Sequence, residues 1–133
     1  MSIVRTSQSL ASAQSVTDTE ADVGSVIVNG VAGADKIQFM ITVDHTNSAN
    51  VRFQLIGANN SGASTYVKAT ATVLGATLAT NGTQTYYELD SDADQTIAIP
   101  WTLDKLWDRV TLQTWAGTVG TTADTVTATY KLG

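Results

Sequence analysis

The sequence predicts an all-β fold: an antiparallel β-sandwich, jelly-roll-like, of about eight short strands. Three observations carry that expectation. Apolar residues recur at every second position in run after run, the period of a strand with one buried face, and no stretch holds a helical period. Gly, Asn, Asp and Ser fall between the runs at short intervals, as turns between strands require. Charged residues make up only 14% of the chain, so its surface must be covered largely by Thr, Ser, Asn, Gln and Gly, which suits the outward faces of sheets. Two sheets of four make the strand count of a jelly roll. The order of strands along the chain leaves an immunoglobulin-like topology open, and the absence of a fixed internal repeat argues against a propeller or solenoid.

Taken in order, residues 1–22 read as an N-terminal strand or arm and residues 23–133 as the sandwich domain. The arm opens on the apolar pair Ile3-Val4. Ala11 to Asp22 holds too little apolar surface to anchor itself, which fits either a frayed end or an arm ordered against a neighbouring subunit. Val23–Val31 is a strand candidate ending in the Asn29-Gly30 turn signal. Lys36–Asp44 places Ile37, Phe39, Ile41 and Val43 on one face, and Asn50–Gly57 does the same with Val51, Phe53 and Leu55. These two runs read as a hairpin or an adjacent pair in one sheet.

Ser64–Leu74 alternates through Val67, Ala69, Ala71 and Val73. Asn81-Gly82 signals a tight primed turn. Thr83–Asp90 puts Tyr86 and Tyr87 on opposite faces, and Asp124–Leu132 turns Val126, Ala128, Tyr130 and Leu132 inward.

Thr96–Gly117 is the densest stretch, with all three tryptophans and the only proline. Ile97, Ile99, Trp101 and Leu103 share one face, so Trp101 belongs to the core. Pro100 cannot donate to a ladder and predicts an edge strand. A corner at Asp104-Lys105-Leu106 leads to a second strand in which Trp107 and Trp115 take the parity opposite Val110 and Leu112. Ile3, Val4, Trp107 and Trp115 are therefore the candidate partner contacts, since Trp is a frequent interface anchor. An exposed Trp107–Trp115 platform for an extended sugar chain is the competing expectation.

Composition bounds the chemistry. The chain of 133 residues fits one domain, which would expose roughly 6,700 Å² when folded. With no cysteine, disulfides and thiolate metal sites are unavailable. A net charge of -5 disfavours nucleic acid, whose phosphates it repels. No secretory leader, membrane-spanning run or lipid-facing barrel pattern is expected.

The single histidine, His45, stands beside Asp44 at a strand end and reads as a solvated loop residue, without the elbow of a hydrolase nucleophile. Asp90, Asp92 and Asp94 have the spacing that opens a calcium loop. The glycine and the bidentate glutamate of an EF-hand are missing, and a solvated acidic turn is the simpler reading. Whether Ca²⁺ or a glycan binds near these three is left open. No catalytic residue, metal ligand or cofactor site is assigned.

The polar N-terminal segment SQSLASAQSVTDTEADVG, the cysteine-free Thr/Ala/Gly-rich body and a C-terminal hairpin formed by WDRVTLQTWAG and DTVTATYKL together give a resemblance across the whole chain. The chain resembles small β-sandwich or jelly-roll structural proteins of tailed bacteriophage particles, head decoration (cement) proteins above all. That resemblance implies a non-enzymatic virion protein, assembled in the host cytoplasm. It would form a homo-oligomer, with a trimer favoured, and stabilise the head lattice by binding the major capsid protein. The alternatives are a carbohydrate-binding module and a tail or fibre adaptor or receptor-binding protein.

Overall fold

The computed structural model describes residues 6–46, 48–59, 62, 64–103, 107–120 and 123–133. Ten strands account for the regular structure, and no helix occurs among the described residues. They are β1 (Gln8–Ser15), β2 (Ala21–Asp22), β3 (Lys36–Asp44), β4 (Ala49–Ala58) and β5 (Ser64–Tyr66). The second half adds β6 (Ala76–Asn81), β7 (Gln84–Leu89), β8 (Gln95–Thr102), β9 (Arg109–Thr118) and β10 (Thr125–Leu132). One sheet runs β1-β10-β3-β8; the other runs β2-β9-β4-β7-β6, with β5 paired to β4. Every ladder is antiparallel.

Setting β5 and β6 aside as an insertion, the eight remaining strands pair first with eighth, second with seventh, third with sixth and fourth with fifth. One sheet then has the order 1-8-3-6 and the other 2-7-4-5. This is a long antiparallel ribbon rolled into two sheets, the jelly roll. It settles the topology that strand order along the chain leaves open.

The period-two patterns explain the layers. β3 alternates exposed and buried without a fault, burying Ile37, Phe39, Ile41 and Val43. β8 contributes Ile97, Ile99 and Trp101, and β10 contributes Val126, Ala128 and Leu132. From the facing sheet come Val51, Phe53 and Leu55 of β4, Tyr87 and Leu89 of β7, and Val110, Leu112 and Ala116 of β9. Each large side chain so buried contributes about 1.5–3 kcal/mol of transfer free energy.

Trp101 lies at the centre, as expected, edge-on to Phe39 at 5.7 Å and to Tyr87 at 5.5 Å. The Tyr87 hydroxyl donates to Ala71 O at 2.8 Å, and burial pushes its pKa above the ordinary tyrosine value. The folded surface of 7113 Å² is close to what a single compact domain of this mass exposes.

Several sequence expectations are corrected. β3 and β4 are not paired: they lie in different sheets, because the chain changes layer between them. The same holds for β9 and β10, so the C-terminal hairpin is absent. Val23–Val31 is not a regular strand; it meets β9 through the isolated bridge of Ile27 to Val110 and a single bond from Val23 N–H to Leu112 O. Gly24 at φ +66° breaks its extension. Only the first three residues of Ser64–Leu74 enter a ladder. The rest buries Val67, Ala69 and Val73 as expected, but Ala69 N–H donates to the Thr85 hydroxyl rather than to a strand.

The turn after β6 uses Gly82-Thr83, with φ +65° at Gly82 alone, a type II′ arrangement in place of Asn81-Gly82. The sequence pattern does not predict β6 itself. Pro100 does lie on an edge strand, β8. The corner at 104–106 lies outside the described residues.

Of the N-terminal segment, β1 pairs with β10 and β2 with β9, while Val16 between them is fully buried. These residues cross from one sheet to the other and close the sandwich within the chain.

Candidate functional site

The outer face of the larger sheet carries the most organised polar chemistry. Strand parity turns Arg52, Gln54 and Ile56 of β4, Gln84, Tyr86 and Glu88 of β7, and Thr111, Gln113 and Trp115 of β9 outward. Gln54 is nevertheless 0% exposed, so its amide must be paired within the protein. Its Nε2 donates to Glu20 Oε2 at 3.0 Å and to Gln113 Oε1 at 2.9 Å, and its Oε1 accepts from Gln84 Nε2 at 2.6 Å.

Gln84 Nε2 also donates to Glu20 Oε1 at 3.1 Å, and Gln113 Nε2 donates to Asp22 Oδ1 at 2.9 Å. Gln54 and Gln84, on adjacent strands, thus hold the Glu20 carboxylate over the sheet with both its oxygens engaged, and Gln113 on the third strand ties Gln54 to Asp22. An open cleft of about 350 Å³ lies beside it, lined by Glu20, Ile56, Tyr66, Thr83 and Gln113, with Ser64 and Thr65 on the same wall. Fixed donors and acceptors beside a tyrosine suit a neutral polar ligand or a polar protein surface.

One register step along β4, Arg52 Nε donates to Glu88 Oε2 at 2.7 Å, and the guanidinium lies 5.6 Å from the centre of the Tyr86 ring. Tyr86 in turn packs edge-on to Trp115 at 5.4 Å. Trp115 has the expected outward parity yet is only 8% exposed, covered on the sheet rather than offered to a partner. Trp107 is also 8% exposed but belongs to the core, on the inner side: a Cβ on Gly57 would come within 2.6 Å of its ring. The two rings therefore sit on opposite sides of the sheet, and the Trp107–Trp115 platform does not form. Ile3 and Val4 lie outside the described residues.

His45 is not solvated, contrary to the sequence expectation. Its side chain is 2% exposed and its Nδ1 lies 2.6 Å from Oδ2 of the fully buried Asp124. Asp124 Oδ1 also accepts the backbone N–H groups of Thr46 at 2.7 Å and Ser48 at 3.2 Å. The carboxylate thereby fixes the crossing from β3 to β4. The sequence signal is the buried-strand start at Asp124, but its pairing with a loop 78 residues away leaves no trace in the pattern.

The acidic turn also disperses. Asp90 accepts from the Thr77 hydroxyl at 2.5 Å and Asp94 from the His45 N–H at 2.8 Å, while Asp92 is exposed. Among the described residues no group of three His, Cys, Asp or Glu side chains is placed to hold a metal ion.

The fold and this face together define a compact jelly-roll protein with a polar, amide-lined sheet surface. No protein-family model and no curated protein matches the chain. Among solved structures it is similar in fold to the SPBc2 prophage-derived protein YomS. The TM-score is 0.53 at 12% sequence identity, over 100% of this chain and 97% of that one.

Proposed function

We propose that this protein is a non-enzymatic structural component of a bacteriophage particle, in the manner of a head decoration protein. The observation that carries the reading is the end-to-end correspondence of its jelly roll with a prophage-derived protein of nearly the same length. Fold likeness alone does not assign function, and two features of the chain support the reading. Its organised polar groups are spent on holding the fold and one sheet face. The His45–Asp124 pair is locked under the β3–β4 crossing and lines neither the cleft beside Met40 nor the one beside Glu20. Its outer faces are broad and sparsely charged, which suits packing against a repeated protein lattice.

The expected partners are a second copy of the chain and the major capsid protein, and the expected location is the virion. Mass spectrometry of purified particles, followed by co-sedimentation of added protein with heads, tests this. Absence from particles together with failure to sediment would overturn it.

The cleft beside Glu20 and Tyr66 favours one other reading, a tail or fibre protein that holds a glycan. Immunogold labelling of the tail rather than the head would select that reading.

A further inference from the structure

We propose that β6 is a self-association edge, along which two copies of the chain pair antiparallel about a two-fold axis. An open strand edge is a template for another strand, and proteins ordinarily blunt it. The other open edges here are blunted. β1 is bulged on both sides of Ala11, with Ala13 forced to φ 49°. β2 has two residues and β5 three. β8 carries Pro100. β6 has none of these devices: its six residues pair with β7 in unbroken register, without proline, bulge or charge. Two of the few exposed large apolar side chains among the described residues lie on it or just before it, Leu78 at 39% and Leu74 at 97%.

The ladder shows which backbone groups are open. Asn81 and Gln84 flank a two-residue turn, so they exchange both hydrogen bonds, and bonded pairs then alternate along β6. Residues 77, 79 and 81 therefore aim N–H and C=O at β7. Asp90 N–H donating to Gly75 O at 3.0 Å keeps the same parity. Residues 76, 78 and 80 aim theirs at the open edge, where the Ala76 N–H is taken by Val73 O. Leu78 lies opposite Tyr87, on the core-facing side, so its exposed surface continues the core outward.

The occupant that fits is a second β6. Residues 74–83 contain no charged side chain in a chain of net charge -5. Two such edges therefore meet without setting carboxylate against carboxylate. A two-fold axis at Leu78 maps the open row onto itself: Leu78 faces Leu78 and Ala76 faces Thr80, so the outward groups of one strand meet those of the other, apart from the Ala76 N–H that Val73 O holds. The two half-exposed leucines cover one another, and the two larger sheets become continuous.

Such an isologous contact closes at two copies, so the solution form is a dimer rather than the trimer that the phage resemblance implies. One strand pair is a small interface, which makes the dimer weak and concentration-dependent.

Sedimentation equilibrium of the full chain over a wide concentration range reads this directly. The mass is expected to rise from one copy to two and stop there. Leu78→Lys sets two ammonium groups face to face, and Thr80→Pro removes an outward N–H while sparing the β7 ladder. Both variants are expected to stay monomeric while keeping a cooperative melting transition, lowered modestly in Leu78→Lys, whose side chain gives up part of its apolar burial. A wild-type monomer at all concentrations, an assembly larger than two, or a dimer surviving in either folded variant overturns the proposal.

Hydrogen exchange on the wild type tests the same contact without variants: protection of the Leu78 and Thr80 amides is expected to grow with concentration, and constant protection would sink the idea. The proposal deepens the expectation of self-association but does not depend on the particle. A monomer that still sediments with heads would remove the dimer and leave the proposed function standing.

Discussion

Asp124 shows how one side chain can fix a layer crossing. It is 0% exposed, and its carboxylate engages two backbone N–H groups and the His45 ring. Removing one partner from such a cluster leaves buried donors unpaired and costs far more than the cluster contributes against an apolar replacement. Asp124→Ala is therefore expected to lower the unfolding free energy by about 3–5 kcal/mol, and Asp124→Asn, which keeps an acceptor for the Thr46 and Ser48 amides, by clearly less. Urea denaturation measures both, and equal losses would show that the amides are not what the carboxylate serves. None of this is legible in the sequence. His45 next to Asp44 suggests a solvent-exposed pair, whereas the partner that matters comes from the start of the last strand.

At the scale of elements, legibility follows how cleanly one face is buried. β3, β7 and β8 alternate strictly, β10 does so up to Thr129 and Tyr130, and the sequence pattern places all four within a residue or two of their ends. β6 escapes the pattern because an edge strand is half wet on both faces: ATLATN offers no strong alternation to read. The candidate face is invisible for a related reason. Gln54, Gln84 and Gln113 sit at ordinary outward positions, and only the adjacency of β9, β4 and β7 joins them to one another and to Glu20 and Asp22. Trp107 defies the strand pattern because it precedes β9 and does not obey its parity.

Trp107 owes its place to Gly57 of β4, where a Cβ would stand 2.6–2.9 Å from three atoms of the indole. Gly57→Ala is thus expected to destabilise the fold by about 1–3 kcal/mol through overpacking. Combining it with Trp107→Leu should recover part of that loss, since contacting residues couple. Additive losses in a thermal double-mutant cycle would show that the two do not touch.

At the scale of the molecule, the jelly roll joins its two ends. β1 is laid against β10, so the first described strand pairs with the last. Val16 N–H donates to Asp124 O and Ala116 N–H to Thr17 O, which ties the segment after β1 to both layers. The sequence does not show this: Gln8–Ser15 is polar, and its worth lies in ladder bonds and in the single buried side chain that follows. An arm and a closing strand make opposite predictions for truncation. Removing an arm leaves the melting temperature where it was and alters only assembly.

Removing a closing strand strips β10 of its partner on one side, uncovers the core beneath Val16 and creates a new open edge. Deleting residues 1–20 also removes Glu20, so the Gln54 and Gln84 amides each lose one of their two acceptors. The truncated chain is expected to melt at least about 10 °C lower than the full chain, as a loss of several kcal/mol implies for a domain of this size. It should also aggregate on heating, through the bared edge of β10. Differential scanning calorimetry decides the matter: an unchanged transition would mean that the sandwich stands without its first strand.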